Sequence, residues 1–290
     1  MLTTMLHLLA ACAVALSSTP AAVTLSSGSP GGDTPASSAH PAAVETSLAM
    51  QSNQPTARGL PAAPAVPATP GVHFCSWADL SGTHRFAVYI PPADIATPPY
   101  PLVVFLHGRG ESGTDGVKQA SVGLLPAVLN QPQRWPCVIL MPQKPEFEPL
   151  WPTQTDVVMA ELKALREQVH IDENRISLTG LSQGGHGTWM FAMHDPGMWS
   201  ALAPVCGFHR DASADAIAAA VKHLPVWAFH GLKDDVVPPA RTRDIIDALK
   251  QHGATPKLTE FPDANHNSWD PAYRDPELPK WLLSQTRSAR

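Results

Sequence analysis

The chain has 290 residues, of which 44% are hydrophobic and 16% are charged, so it carries enough apolar material for a substantial core and is not disordered throughout. Its formal net charge is -5, and no basic run interleaves with aromatic residues. Nucleic acid and anionic membrane surfaces are therefore not expected as partners. The length allows one large domain or two small ones.

Residues 1–17 predict an export signal. Their apolar run, residues 5–16, has the length of a signal-peptide core and is too short to span a bilayer. The sequence LAAC resembles a bacterial lipoprotein signal, in which Cys12 would carry a lipid anchor and give the only membrane contact. Ordinary cleavage near residues 13–15 is the second route, so the protein is predicted to be periplasmic, an outer-membrane lipoprotein or secreted. Because no Lys or Arg precedes the run, an apolar N-terminus on a cytoplasmic protein is the alternative.

Residues 18–71 predict a disordered linker. The segment is rich in Pro, Ala, Ser and Thr, and between Ser17 and Gly71 only Asp33, Glu45 and Arg58 are charged. Such a composition buries too little apolar surface to offset the entropy of ordering the backbone. Residues 72–290 then form the predicted catalytic domain.

Strand and helix signals alternate through this domain. Strands are predicted at residues 84–90, 102–107, 138–141, 176–180, 202–205, 226–230 and 257–261, and helices at 155–169, 214–224 and 240–253, with another after residue 182. Several strands are continuous apolar runs, as expected of parallel strands that are covered on both faces. The pattern predicts an α/β fold with a mostly parallel central sheet and helices on both faces. About 215 residues leave little room for a large lid domain.

Three cysteines follow the leader. No Cys-x-x-Cys spacing is present, so the sequence does not support a zinc ribbon or a thioredoxin-type motif. Cys75 is the candidate for a disulfide in an exported protein. Cys137 and Cys206 lie in apolar runs, where buried free thiols are common.

A serine follows one of the predicted strands in the sequence Gly180-Leu181-Ser182-Gln183-Gly184. Gly-x-Ser-x-Gly between a strand and a helix is typical of a nucleophile elbow, which exposes a serine hydroxyl at the end of a sheet. The flanking glycines are needed because strand and helix pass closely there. The motif also arises by chance as a simple glycine turn, so its position after a strand is the stronger indication.

Two backbone N–H groups are predicted to stabilise an oxyanion beside this serine. The residue after the nucleophile, Gln183, supplies one, and the glycine-rich loop HGRG after an earlier strand supplies the other through Arg109. A flexible glycine loop without a role is the alternative interpretation.

The acid and the base are predicted in loops after later strands. Asp234 begins the loop after residues 226–230, and His266 follows the last predicted strand. The order Ser182, Asp234, His266 is the chain order of a nucleophile-elbow triad. Asp235 is interpreted as a solvated loop carboxylate, and His230 as a residue of the turn or of strand packing.

With these four sites in order, the chain resembles the α/β-hydrolase superfamily over about residues 74–283. The sequences LHGRGESG, GLSQGGHGTW and HGLKDDVVPP resemble a small lidless branch with phospholipase/carboxylesterase-type enzymes, polyhydroxybutyrate-depolymerase and feruloyl-esterase relatives, and secreted peptidases related to prolyl oligopeptidase. The chain is also similar to dienelactone hydrolases, which use cysteine where this chain has Ser182. The resemblance implies Ser182 as nucleophile, Asp234 and His266 as its partners, and Arg109 and Gln183 as oxyanion donors.

The predicted function is an exported serine hydrolase that cleaves small-molecule carboxylic esters through an acyl-enzyme, with no metal or organic cofactor. Trp151 and Trp269 are candidate pocket residues, and core or loop packing is the alternative for each. A serine peptidase of the same fold and a non-catalytic surface binding module remain as alternative functions, because fold analogy does not identify the substrate.

Overall fold

The computed structural model describes residues 63–287 of the chain. The predicted signal segment, the lipid anchor at Cys12 and most of the predicted linker lie outside the described residues. The strands are β1 (Gly71–Asp79), β2 (Gly82–Ile90), β3 (Tyr100–Leu106), β4 (Val138–Gln143), β5 (Ile171–Leu181), β6 (Leu202–Val205), β7 (Trp227–Gly231) and β8 (Lys257–Phe261). The α-helices are α1 (Leu124–Asn130), α2 (Thr155–Gln168), α3 (Gln183–His194), α4 (Ala214–Val221), α5 (Ala240–Gln251), α6 (Trp269–Arg274) and α7 (Glu277–Ser284).

The eight strands form one sheet in the order β1-β2-β4-β3-β5-β6-β7-β8. The pairs β1–β2 and β2–β4 are antiparallel, whereas β3 to β8 run parallel to one another. The prediction of a mostly parallel α/β sheet is therefore confirmed. Because the carboxyl ends of parallel strands share one edge, the loops after β3, β5, β7 and β8 all emerge at that edge.

Apolar side chains cover both faces of the sheet. In β3, Leu102 and Val104 belong to a layer that includes residues of α2 to α5, while Val103 and Phe105 belong to a layer with residues of α1, α6 and α7. This alternation follows from the two-residue period of a strand, and it explains why the central strands are apolar throughout. Among residues 63–287, no helix combines the length and apolar character needed to cross a bilayer.

The first strand and three helices were not predicted from the sequence. β1 is an edge strand whose residues alternate between half-buried and exposed, so it lacks the continuous apolar run that marks the central strands. The helices α1, α6 and α7 have only 7, 6 and 8 residues, too few for a clear helical period. The predicted helices α2, α4 and α5 are present and end one to three residues earlier than expected.

The last part of the predicted linker packs against the domain. Val66 is buried, and its backbone N–H donates to Oε1 of Gln168 in α2 at 3.0 Å. The Gln168 amide in turn donates to the carbonyl oxygen of Pro64 at 2.8 Å. These residues are therefore part of the folded unit, and the linker expectation is wrong for them because a buried valine and two hydrogen bonds fix this short segment.

The three cysteines that the structure describes are free thiols. Cys75 is half-buried on the edge strand β1, whereas Cys137 precedes β4 and Cys206 follows β6, both within the core. The expectation that Cys75 joins a disulfide is not met. The interpretation of Cys137 and Cys206 as buried free thiols agrees with their positions.

Candidate active site

Ser182 occupies a tight turn between β5 and α3. Its φ and ψ of 55° and -114° put a non-glycine residue in a sparsely populated backbone region. A Cβ at Gly184 would lie 1.8 Å from the carbonyl oxygen of Leu106, and one at Gly180 would lie 2.4 Å from the oxygen of Gly184. The glycine spacing is thus required by the close passage of α3 over the ends of β3 and β5.

The three predicted triad residues meet at the carboxyl edge of the sheet. His266 Nε2 lies 3.0 Å from Ser182 Oγ, and His266 Nδ1 lies 2.8 Å from Oδ2 and 3.0 Å from Oδ1 of Asp234. The Asp234 side chain is fully buried, and the His266 side chain is 17% exposed. The order serine, imidazole, carboxylate is the arrangement of a nucleophile, a general base and the group that orients the base.

The Asp234 carboxylate is surrounded by hydrogen-bond donors from its own loop and from β7. The backbone N–H groups of Val236 and Val237 donate to its Oδ1 at 2.9 and 2.8 Å. A second imidazole, His230, places Nε2 3.1 Å from Oδ2. The neighbouring Asp235 is exposed, in line with its interpretation as a solvated carboxylate.

Two buried side chains that sequence reasoning missed fix the loops beside the site: His107 holds the glycine-rich loop after β3, and Lys144 holds the loop after β4. His107 Nε2 accepts a hydrogen bond from the backbone N–H of Lys144 at 2.9 Å, and Nδ1 donates to the carbonyl oxygen of Gly108 at 2.5 Å. This pattern requires a neutral ring, and burial lowers the pKa of His107 to about 4. The ammonium group of Lys144 donates to the carbonyl oxygens of Glu146, Phe147 and Pro149. A motif search cannot find either role, because both depend on contacts with the loop after β4.

A cavity of about 660 Å³ opens over Ser182. Both predicted oxyanion donors, Arg109 and Gln183, line it. The guanidinium of Arg109 lies over the ring of Phe147, 5.1 Å from its centroid. The remaining lining residues are Gly108, Gly110, Glu111, Glu148, Leu181, Phe208, Arg210, Val236, Val237, His266 and Trp269.

The two tryptophan predictions have opposite outcomes. Trp269 lines the cavity, and its ring stands at 89° to the ring of His266 with centroids 5.5 Å apart. Trp151 is fully buried, donates its Nε1–H to the carbonyl oxygen of His107 at 3.0 Å, and packs edge-on against Phe191. The pocket expectation for Trp151 is wrong because its side chain points into the apolar layer beneath the cavity.

Cys206, Asp234 and His266 have donor atoms within 4.8 Å of one another, a spacing that could hold a metal ion. The thiol is a poor ligand in this setting, since burial raises the pKa of Cys206 to about 12 and keeps it protonated. The other two side chains are bonded to each other. A second cavity, of about 480 Å³, lies at the amino ends of β7 and β8 and contains none of the predicted site residues.

The sheet order, the elbow and the triad geometry together define an α/β-hydrolase fold. Residues 146–275 match the sequence model of the dienelactone hydrolase family. The matched range includes the elbow residue, which is a serine, Ser182, in this chain. A "Putative carboxymethylenebutenolidase" of Escherichia coli strain K12 is 27% identical over 100 residues, which cover 33% of this chain and 37% of that protein. The match therefore spans little more than a third of the length of that relative.

Solved structures of esterases share the fold. A thermostable esterase is 30% identical with a TM-score of 0.64, and the alignment covers 74% of this chain and 63% of that one. A ferulic acid esterase from the anaerobic fungus Anaeromyces mucronatus is 15% identical with a TM-score of 0.59, covering 74% of this chain and 90% of that one. The second likeness, at this low identity, is evidence for the fold alone.

Proposed function

We propose that the protein is a serine hydrolase that cleaves carboxylic esters of small molecules through an acyl-enzyme intermediate. The observation that carries the proposal is the continuous hydrogen-bonded series from Ser182 Oγ through His266 to Asp234, open to a cavity of about 660 Å³. That volume falls within the usual range for small-molecule sites. The similarity to dienelactone hydrolases and esterases supports the same reaction class.

The reaction proceeds in two steps, acylation of Ser182 and hydrolysis of the acyl-enzyme. His266 Nε2 takes the hydroxyl proton of Ser182 while Oγ bonds to the ester carbonyl carbon, and the N–H groups of Gln183 and Arg109 stabilise the oxyanion. Collapse breaks the bond to the alcohol oxygen, which receives the proton from His266. Water then repeats the sequence on the acyl-enzyme and releases the acid. Asp234 keeps Nδ1 protonated, so that Nε2 is free to act as the base.

The test is hydrolysis of short-chain p-nitrophenyl esters by the full chain and by Ser182→Ala. We expect turnover by the parent and a loss of at least about three orders of magnitude in the variant, as in other triads. A matched control is Ser284→Ala, which removes an exposed hydroxyl on α7 and should leave the rate unchanged. Labelling with a fluorophosphonate, followed by peptide mass analysis, should place the adduct on Ser182.

Equal rates for the parent and Ser182→Ala would contradict the proposal and favour a binding module. Cleavage of peptide p-nitroanilides without cleavage of esters would favour the peptidase alternative. Export, predicted from residues 1–17, remains a separate proposal. The mass of the mature N-terminus tests it, since lipidation at Cys12 and ordinary cleavage give different products.

A further inference from the structure

The structure holds a second imidazole beside the triad that the proposed mechanism does not use. His230, the penultimate residue of β7, is fully buried. Its Nε2 lies 2.9 Å from the carbonyl oxygen of Val237 and 3.1 Å from Oδ2 of Asp234. On the other side of the ring, Nδ1 lies 2.8 Å from the hydroxyl oxygen of Thr242 in α5. The ring thus links β7, the acid loop and a helix.

The proton on this ring can be assigned from its partners. Burial lowers the pKa of His230, and the hydrogen bond to Val237 and the charge of Asp234 offset part of this shift. Nε2 faces only acceptors, a carbonyl and a carboxylate, and therefore carries the proton. The Thr242 hydroxyl donates to the carbonyl oxygen of Gly207 at 2.9 Å, and its oxygen lies 2.8 Å from Nδ1. Among residues 63–287, the titratable groups that act on this ring are Asp234 and His266.

We propose that His230 is a positioning residue whose Nε2–H donates to Asp234 and, through that carboxylate, sets the orientation of the His266 imidazole. The inference rests on the proposed function of the triad. Oδ1 of Asp234 accepts from the backbone N–H groups of Val236 and Val237 and also lies 3.0 Å from His266 Nδ1, whereas Oδ2 faces both His266 and His230. A donor at this second oxygen fixes the plane of the carboxylate, because the backbone donors hold one oxygen only.

The same N–H also holds the acid loop closed. The carbonyl of Val237 and the carboxylate of Asp234 both turn towards His230 Nε2, so one buried donor ties together the two ends of residues 234–237. Loss of this donor should let the carboxylate tilt, and a misplaced imidazole would then approach Ser182 less often. A displacement of about 1 Å in a catalytic group costs up to about a hundredfold in rate.

A pair of variants separates the two sides of the ring. In His230→Gln, the side-chain amide nitrogen can take the place of Nε2 and still donate to Asp234. In His230→Asn, the shorter amide reaches towards Thr242 and leaves Asp234 without this donor. Both variants remove the ring and add a primary amide, so their folding should be affected similarly. Thermal unfolding of the full chain measures that directly.

We expect His230→Asn to lower kcat by about ten- to a hundredfold with little change in KM, and His230→Gln to recover most of this loss. We also expect the acidic limb of the kcat/KM pH profile to shift in His230→Asn but not in His230→Gln. Equal losses in both variants, in step with their unfolding temperatures, would show a packing role only and overturn the inference. A His230→Asn variant with parental kcat and pH profile would overturn it as well.

A proton NMR measurement distinguishes failure of this inference from failure of the proposed function. The N–H between His266 Nδ1 and Asp234 should give a downfield resonance in the parent. If the parent proves inactive on esters but this resonance is lost in His230→Asn and kept in His230→Gln, the proposed function fails and the positioning role stands. If the resonance is unchanged in both variants, the positioning role fails whatever the activity.

Discussion

Two buried carboxyl groups, Asp234 and Glu161, lie in different regions of the molecule and have different surroundings. Asp234, at the carboxyl edge of the sheet, accepts hydrogen bonds from two backbone N–H groups and lies against two imidazoles. Glu161, on α2 beneath β1, accepts one hydrogen bond, from Trp77 Nε1 at 3.1 Å, and its Oε2 has no hydrogen-bond partner among residues 63–287. Burial raises the pKa of Glu161 to about 8. The raised pKa of Glu161 therefore reflects a carboxyl group buried in the core, whereas converging donors beside a cavity mark the reactive region.

The largest expected effect is on the catalytic rate and follows substitution of Asp234. Asp234→Asn keeps the shape of the side chain but can present an amide N–H to His266 Nδ1, which favours the wrong tautomer. We expect kcat for p-nitrophenyl ester hydrolysis to fall by about three to four orders of magnitude. The free energy of unfolding should change by no more than about 2 kcal/mol, since the amide oxygen can still accept from the backbone of Val236 and Val237.

Steady-state kinetics and urea unfolding on the same preparation measure kcat and the free energy of unfolding. Asp235→Asn is the matched control, because Asp235 is the exposed neighbour, and it should retain the parental rate. A rate for Asp234→Asn within tenfold of the parent would remove Asp234 from the mechanism.

The next effect tests the layer beneath the site. Trp151 is fully buried against His107 and Phe191, so Trp151→Ala leaves a large cavity and removes the hydrogen bond to the His107 carbonyl. We expect a loss of about 3–5 kcal/mol in the free energy of unfolding. Trp151→Phe, which mainly removes the N–H, should cost no more than about 1.5 kcal/mol. Chemical denaturation of both variants gives the comparison, and equal small losses would mean that the ring is not part of the core.

The sequence shows the reactive region more clearly than the packed one. The elbow can be recognised in the sequence because the backbone packs so closely at Gly180 and Gly184 that only glycine fits. The order of Ser182, Asp234 and His266 can be recognised because each follows a strand that ends at the same edge of the sheet. Such constraints act within a few residues or follow from the order of the strands, so a pattern search can find them.

Side-chain direction and cross-element contacts are not visible in the same way. Trp151 follows a strand as a pocket residue would, and only the packed structure turns it inward. The partners of His230 and Lys144 come from α5 and from a loop whose course depends on tertiary contacts. The edge strand β1 was missed for a related reason, since half-exposed residues give little apolar signal.

A pH-dependent effect sharpens the contrast between the two carboxyl groups. The folded-state pKa of Glu161 is raised to about 8, above the value of 4.5 for an unperturbed Glu. Between these values the folded state binds more protons than the unfolded state, so stability falls as the pH rises from about 4.5 to 8. In Glu161→Gln this contribution is absent while the carbonyl that accepts from Trp77 is kept. We expect the variant to be more stable than the parent by roughly 1–3 kcal/mol at pH 8 and to differ little at pH 4.5.

Unfolding midpoints across this pH range test that expectation. Glu167→Gln, on the exposed face of the same helix, is the control and should leave the pH slope unchanged. Parallel slopes for the parent and Glu161→Gln would show that the buried carboxyl is not the source of the pH dependence.

The smallest expected effect concerns the tryptophan that the cavity does contain. Trp269 is half-buried in the first turn of α6, and its ring forms a T-shaped contact with the ring of His266, at an interplanar angle of 89°. Trp269→Ala should raise KM about three- to tenfold for esters with an apolar or aromatic acyl group, because one aromatic contact contributes about 0.5–1.5 kcal/mol. The KM for acetate esters should change less, since their acyl group is too small to reach the ring. A uniform loss of kcat for every ester would instead mean that the Trp269 ring holds the His266 imidazole in position rather than contacting the substrate.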